Sequence, residues 1–264
     1  MRFGRRPERV FEGYIFDADG TIYLSDRLLP GAAHVVKTLR SVGSGVVFVS
    51  NNPTYTRGQI ASKLTRLGIP AMPEQVINST FVLVQYLLSE APGCTVYPIG
   101  ERPLHDELGA AGFTISEDPS SIDYVIASFD RTLVYHKLQV GFDALRAGAH
   151  FIATNGDPYC PVEGGGEPDA AAVIAALEAS TGIRVEKVLG KPSTYMARTA
   201  LAELGVAPQD CLLTGDRLRV DIVMARDAGI PSALVLTGAT TRDQLRDETV
   251  VPDYVLEQLV HILP

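Results

Sequence analysis

The chain has 264 residues, of which 46% are hydrophobic and 20% charged, a composition typical of a globular protein with one large domain or two smaller ones. Its net charge of -8 argues against a surface that binds nucleic acid or an anionic membrane. No apolar run is long enough to span a bilayer, and the basic N-terminus lacks the apolar core of a signal peptide, so we expect a cytoplasmic protein.

The first part of the chain alternates strands and helices. Tyr14-Ile15-Phe16 is a short apolar run that ends in two carboxylates, Asp17 and Asp19. The pattern then predicts a loop at 25–30, a helix over 31–42, a continuous apolar strand over 46–49 and a helix over 57–67. This order is that of a βαβα unit and predicts the start of a doubly wound parallel sheet.

The middle of the chain has strands and helices of its own. The pattern predicts a helix within 76–88, strands at 96–99, 124–128 and 151–154, helices at 104–111, 135–147 and 170–179, and an irregular segment at 157–168. We interpret this section as a second α/β unit inserted into the first. The predicted domains are therefore a core formed by residues 1–80 and 187–264, and an insert formed by residues 81–186.

The last part of the chain returns to the core pattern. A short strand that ends at Leu189 is expected, and Ser193 is placed to cap a helix that runs to Leu204. The pattern then predicts a buried strand at 211–214, a helix at 221–228 and a strand at 233–236. It ends with a predicted helix around Tyr254, Leu256, Leu259 and Val260.

Polar residues follow four of the predicted strands, after Phe16, Val49, Leu189 and Thr214. The carboxyl ends of parallel strands share one sheet edge, so we expect these loops to converge. Together they supply Asp17 and Asp19, Ser50 and Asn52, Lys191, and Asp216 and Asp221. Several carboxylates with few imidazoles or thiols nearby favour Mg²⁺ over zinc. The cysteines Cys94, Cys160 and Cys211 lie far apart and are expected to be unpaired thiols.

Four short motifs occur in order along the chain: DxDGT from Asp17, SNN from Ser50, GKP around Lys191, and GDR followed by Asp221. This set of motifs resembles that of the haloacid dehalogenase (HAD) superfamily of phosphatases. With the insert between the second and third motifs, it resembles the NagD-like, 4-nitrophenylphosphatase branch with a type-2 cap. The resemblance implies a Rossmann-like core, an α/β cap that supplies specificity, and Mg²⁺-dependent hydrolysis of small phosphomonoesters such as sugar phosphates, nucleoside monophosphates or 4-nitrophenyl phosphate.

The resemblance also implies the chemistry at the acidic residues. Asp17 would attack phosphorus and form an aspartyl-phosphate. Asp19 would protonate the leaving alkoxide and later accept a proton from water. The carboxylates of Asp17 and Asp216, with the main-chain carbonyl of Asp19, would hold the metal.

The remaining motif residues are implied to act on the phosphate. Ser50 would donate its hydroxyl to the phosphoryl oxygens, and Asn51 and Asn52 would line the same pocket. Lys191 would balance the charge between Asp17 and the phosphate. Asp221 would position Lys191 or a metal-bound water without itself being a metal ligand.

In the insert, Asn155 and Asp157 are candidates to bind substrate hydroxyls. The alternative is that their side chains only stabilise a loop. The glycines from Gly164 to Gly166 suggest that this loop is mobile. The many apolar positions of the insert are compatible with a homodimer.

Two other functions fit the same motifs. A phosphotransferase or phosphomutase would pass the phosphoryl group to a sugar hydroxyl, and it would need a bisphosphate activator. A non-catalytic protein would bind metal and phosphate ester without turnover, but such a protein has no use for the acid/base Asp19.

Overall fold

The computed structural model describes residues 6–162, 164–246 and 249–264. The described chain forms two compact units. The core unit comprises the described residues up to Ser50, with Arg57–Ile77 and Pro192–Pro264, and the inserted unit comprises Asn51–Thr56 and Asn78–Lys191. Residues 51–56, 78–80 and 187–191, which the sequence assigned to the core, therefore lie in the inserted unit. None of the described helices is long and apolar enough to cross a membrane.

The chain forms short strands and helices in close succession. The strands are β1 (Gly13–Asp17), β2 (Tyr23–Leu24), β3 (Arg27–Leu28), β4 (Gly45–Ser50), β5 (Val76–Asn78), β6 (Thr95–Ile99), β7 (Thr114–Ile115), β8 (Tyr124–Ala127), β9 (His150–Ala153), β10 (Tyr159–Val162), β11 (Gly165–Pro168), β12 (Lys187–Val188), β13 (Cys211–Gly215), β14 (Ser232–Val235) and β15 (Tyr254–Leu256). The α-helices are α1 (Ala32–Ser41), α2 (Arg57–Arg66), α3 (Ser79–Glu90), α4 (Arg102–Ala110), α5 (Tyr135–Ala147), α6 (Ala170–Thr181), α7 (Thr194–Leu204) and α8 (Val223–Asp227). A π-helical turn (Leu218–Ile222) precedes α8, and short 3-10 turns lie at Pro73–Gln75, Pro208–Asp210, Gln244–Arg246 and Leu259–Ile262.

The core unit contains a six-stranded sheet in the order β15-β14-β13-β1-β4-β5. The central strand β1 runs parallel to both of its neighbours, with Phe16 paired to Thr214 on one side and Asp17 to Val49 on the other. The sheet extends from β1 through β4 on one side and through β13 on the other, with all three strands parallel. This is the doubly wound topology that the sequence predicts, and the α/β fold class is confirmed.

Helices cover both faces of this sheet because successive strand residues point to opposite sides. Tyr14 and Phe16 are fully buried in one hydrophobic cluster with α1 and α2, and their rings stack at 5.9 Å. On the opposite face, Gly13 and Gly45 are paired across β1 and β4. A Cβ atom at Gly45 would lie 2.8 Å from Leu204 of α7, so the two glycines let this helix pack directly against the sheet backbone.

The inserted unit has its own parallel sheet, in the order β12-β9-β8-β6-β7. Its hydrophobic core combines Val125 and Phe151 of the sheet with Val140 of α5 and Leu177 of α6. Strands β10 and β11 form a separate antiparallel hairpin. The prediction of a second α/β unit agrees with this arrangement.

The prediction that the short strand before Lys191 belongs to the core sheet was wrong. The strand β12 is only two residues long, and it pairs with β9 through Lys187–Ile152 and Val188–Ala153 in the inserted sheet. A short apolar run carries no information about which of two parallel sheets it joins. Of the four loops expected at one edge of the core sheet, three therefore lie in the core unit. The fourth, which carries Lys191, belongs to the inserted unit.

Two other segments also differ from the prediction. The segment 157–168, expected to be irregular, contains the hairpin of β10 and β11, with Gly164 at positive φ in its turn and Gly165 and Gly166 in a strand. The tail around Tyr254 forms strand β15 and a 3-10 turn in place of a helix. A short alternating apolar run fits both the helical and the strand period of hydrophobic residues. The pairing of Tyr254 with Ala233 places this segment in a strand.

Candidate active site

Asp17 is the last residue of the central strand β1 and is only 3% exposed. The strand is fully buried along its length, and the ladder continues one residue further, where the Ala18 N–H donates to the Val49 carbonyl at 3.1 Å. A charged carboxylate at such a place is unfavourable unless a cation or donors compensate its charge. The position is the one where open parallel sheets bind ligands.

A tight turn follows Asp17 and separates it from the second acid. Gly20 has a φ of +83°, which only glycine adopts readily, and its N–H donates to the Tyr23 carbonyl at 2.8 Å. Asp19 is exposed, whereas Asp17 is buried. The two carboxylates, one residue apart, therefore have different environments.

Asp216 and Asp221 follow the neighbouring strand β13 and are 4% and 0% exposed. Asp221 lies on the π-helical turn, where its carboxylate accepts the Arg217 N–H at 3.0 Å. Gly215 precedes Asp216, and a Cβ atom there would overlap the Asp221 side chain. The glycine thus lets the turn fold back on the end of the strand.

One carboxylate oxygen each from Asp17, Asp216 and Asp221 lies within 4.8 Å of the others. Among the described residues, these are the side chains arranged closely enough to hold a metal ion. Three buried like charges at this separation repel one another, and a divalent cation removes that repulsion. Hard oxygen donors of this kind fit Mg²⁺. Asp221 lies within this group, although the sequence placed it outside the metal ligands.

The loop after β14 supports Asp216, a contribution that was not expected from the sequence. The Ala239 N–H donates to the Asp216 carboxylate at 2.6 Å, and the Thr240 N–H donates to its main-chain carbonyl at 3.1 Å. Thr237 donates its hydroxyl to the Gly20 carbonyl at 2.9 Å, which ties the same loop to the turn after β1. The signal was present in the sequence as a further apolar strand that ends in Thr237 and Gly238.

Ser50 ends β4, the other neighbour of β1, and is 4% exposed. Because Asp17 pairs with Val49, Ser50 lies one residue beyond Asp17 along the adjacent strand. The parallel strands β1, β4 and β13 therefore bring Asp17, Ser50 and Asp216 to the same edge of the core sheet.

Lys191 is 1% exposed and is among the largest fully buried side chains. The Asn51 side chain makes two hydrogen bonds with the main chain of Lys191. The Lys191 N–H donates to Asn51 Oδ1 at 2.7 Å, and Asn51 Nδ2 donates to the Lys191 carbonyl at 3.1 Å. Asn52 is half-buried, and its Oδ1 accepts the N–H and the hydroxyl of Thr54 at 2.9 and 2.7 Å. The Asn51 and Asn52 side chains therefore both bind protein groups.

Asn155 and Asp157 lie in a buried polar network of the inserted unit. Asn155 is 0% exposed, accepts the Thr154 hydroxyl at 2.8 Å and donates to Asp157 and Asp169 at 3.1 and 3.0 Å. Asp157 is half-buried and also accepts Asn51 Nδ2 at 2.6 Å. These contacts favour the loop-stabilising alternative for Asn155, whereas Asp157 is still accessible.

Comparison with known families matches both ends of the chain. Residues 14–114 match the family model of haloacid dehalogenase-like hydrolases, and residues 188–262 match the HAD-hydrolase-like model. Sugar-phosphatase AraL of Bacillus subtilis is 36% identical, over 94% of this chain and 90% of that relative. The 5'-nucleotidase YutF of the same species is 33% identical, over 97% and 99% of the two chains.

Solved structures show the same fold. The 4-nitrophenylphosphatase of Thermotoga maritima superposes with a TM-score of 0.91 at 34% identity, over 96% of both chains. NagD of E. coli K-12 superposes with a TM-score of 0.88 at 26% identity, over 96% of this chain and 98% of NagD.

Proposed function

Since this chain belongs to the haloacid dehalogenase-like hydrolases, in their NagD-like phosphatase branch, we propose that it hydrolyses small phosphomonoesters with Mg²⁺ through an aspartyl-phosphate. The observation that carries this function is the buried group of Asp17, Asp216 and Asp221 carboxylates at the carboxyl edge of the core sheet. Relatives named as sugar phosphatase, 5'-nucleotidase and 4-nitrophenylphosphatase support substrates of these three kinds.

Asp17 is the proposed nucleophile. Its carboxylate oxygen forms a bond to phosphorus, and the bond between phosphorus and the alcohol oxygen breaks. The exposed Asp19 gives its proton to the departing alkoxide and then takes a proton from the water that cleaves the aspartyl-phosphate. The proposed Mg²⁺ ligands are the Asp17 and Asp216 carboxylates and the Asp19 carbonyl, and the ion would neutralise phosphoryl charge.

The proposed phosphate contacts come from the second and third motifs. Ser50 donates its hydroxyl to the phosphoryl oxygens, and Lys191 balances their negative charge as an ammonium group. Asn52 lines the phosphate pocket, and Asp157 is the proposed substrate-facing residue of the inserted unit, with the buried Asn155 holding it in place. We propose Asp221 as a carboxylate that orders the metal site.

The test is release of inorganic phosphate from a panel of sugar phosphates, nucleoside monophosphates and 4-nitrophenyl phosphate, with Mg²⁺ and with a chelator. We expect turnover that the chelator abolishes. Asp17→Asn removes the nucleophile and should lower kcat by on the order of 10⁴-fold or more.

The matched control is Asp227→Asn, since Asp227 is an exposed acid at the end of α8. It should retain the parent activity. Unchanged turnover in Asp17→Asn would reject the nucleophile assignment. Transfer of the phosphoryl group to another sugar hydroxyl, without release of inorganic phosphate and only with a bisphosphate activator, would identify a mutase instead.

A further inference from the structure

The Asn51 side chain and the Lys191 main chain form a paired contact like that between two strands. Asn51 Oδ1 accepts the Lys191 N–H at 2.7 Å, and Asn51 Nδ2 donates to the Lys191 carbonyl at 3.1 Å. We propose that Asn51 is a positioning residue for Lys191, and that its amide sets the place from which the Lys191 ammonium acts. This role differs from the direct phosphate contact that the sequence suggests for Asn51.

The segment that carries Lys191 is docked closely on Asn51. A Cβ atom at Gly190 would lie 2.7 Å from Asn51 Oδ1 and 2.6 Å from the Thr154 carbonyl. Real side chains do not fit at such distances, so glycine is required for the approach. The backbone next to Lys191 therefore follows the position of the Asn51 amide.

Asn51 is itself held from directions that do not involve Lys191. Its main-chain carbonyl accepts the Ser79 hydroxyl at 2.8 Å, and its Nδ2 donates to Asp157 at 2.6 Å. Asp157 also binds Asn155, which binds Asp169, and Asp169 caps α6 through the Ala170 N–H. This network gives Asn51 a fixed orientation, which is what a residue needs in order to position another.

The position of Lys191 matters because its side chain is 1% exposed. A buried lysine has few alternative rotamers, so a displacement of its main chain moves the ammonium group by a similar amount. Charge stabilisation of a phosphoryl group depends on preorganised placement of the cation. Loss of the Asn51 amide should therefore weaken whatever the Lys191 ammonium binds.

The role of Asn51 rests on the proposed function of Lys191, and a double-mutant cycle separates the two. We would measure the affinity for inorganic phosphate, in Mg²⁺, from the rise in the melting temperature with phosphate concentration. The proteins are the full chain and its variants Asn51→Ala, Lys191→Met and the double variant. We expect Asn51→Ala to weaken phosphate binding about tenfold in the parent and less than about twofold in Lys191→Met.

Asn78→Ala is the matched control. Asn78 is also a fully buried asparagine of the inserted unit, and it holds the Tyr55 carbonyl and the N-terminus of α3. It should lower the melting temperature without a change in phosphate affinity beyond about twofold. If Asn51→Ala does not fold, Asn51→Asp keeps the oxygen that accepts the Lys191 N–H and takes its place in the cycle.

The outcomes distinguish a positioning role of Asn51 from a direct contact between Asn51 and phosphate. An equal loss of affinity from Asn51→Ala in both backgrounds would show a direct phosphate contact and overturn the positioning role. No loss in either background would overturn it as well. If Lys191→Met binds phosphate as the parent does, the role assigned to Lys191 fails and the Asn51 role fails with it, whereas inactivity of Asp17→Asn would still support the phosphatase.

Discussion

Asp221 belongs to the group of three buried carboxylates and also stabilises the backbone of its own turn. Its carboxylate accepts the Arg217 N–H at 3.0 Å, and one of its oxygens lies within 4.8 Å of the Asp17 and Asp216 carboxylates. Its hydrogen bond stabilises the π-helical turn, whereas its charge adds to the attraction for a cation. These two effects can be separated because asparagine keeps the first and removes the second.

Asp221→Asn should therefore raise the Mg²⁺ concentration needed for half-maximal activity by roughly 10–100-fold. The melting temperature without metal should stay level or rise, since one of three repelling charges is removed. Activity titrated against Mg²⁺ checks the first expectation. Asp227→Asn is the control, and an unchanged Mg²⁺ requirement in Asp221→Asn would exclude the residue from the metal site.

At the scale of elements, the loop of residues 237–240 closes around the Asp216 carboxylate. Ala239 donates its N–H to that carboxylate at 2.6 Å, and a Cβ atom at Gly238 would overlap it. The loop has no room for a side chain at this point. The strand β14 thereby contributes to the acidic group without a charged residue of its own.

Gly238→Ala should displace either the loop or Asp216, and we expect it to lower the free energy of unfolding by about 1–3 kcal/mol. It should also weaken the stabilisation by Mg²⁺. Urea unfolding with and without Mg²⁺ measures both effects. Gly109→Ala in α4 is the control because nothing lies within 4 Å of its Cβ position, and it should stabilise by roughly 0.4–1 kcal/mol. Equal stability of the two variants would contradict the close contact.

The elements also show which parts of the site the sequence could predict. The strands that end at Asp17, Ser50 and Gly215 are continuous apolar runs followed by polar residues, so their placement at one sheet edge follows from local pattern. The strand before Lys191 pairs only two residues, and its sheet is decided by tertiary contacts. The support of Asp216 by Ala239 uses a main-chain N–H, which no residue type signals.

At the scale of the whole molecule, two of the three thiols are part of the folded interior. Burial raises the pKa of the Cys211 thiol to about 12 and that of Cys94 to about 11. Cys160 lies in the hairpin strand β10 and is half-buried. Thiolates are the reactive form, so the buried thiols react only when the fold opens.

Labelling with a disulfide reagent at pH 8 should therefore modify Cys160 quickly and leave Cys94 and Cys211 until the protein unfolds. At a pKa of about 12, roughly one thiol in 10⁴ is ionised at pH 8. The measurement is the number of thiols that react before and after addition of urea. Cys160→Ser should remove the fast phase, and rapid reaction of three thiols in the native protein would contradict the buried placement.

The division of the chain into two units limits how this protein can be taken apart. The backbone passes from one unit to the other after Ser50, Thr56, Ile77 and Lys191, so the inserted unit is encoded by two separate stretches. A gene fragment for residues 78–191 alone would lack Asn51 and with it the amide that pairs with Lys191. Exchange of the inserted unit between related chains therefore requires residues 51–56 to be transferred together with residues 78–191 from the same donor sequence.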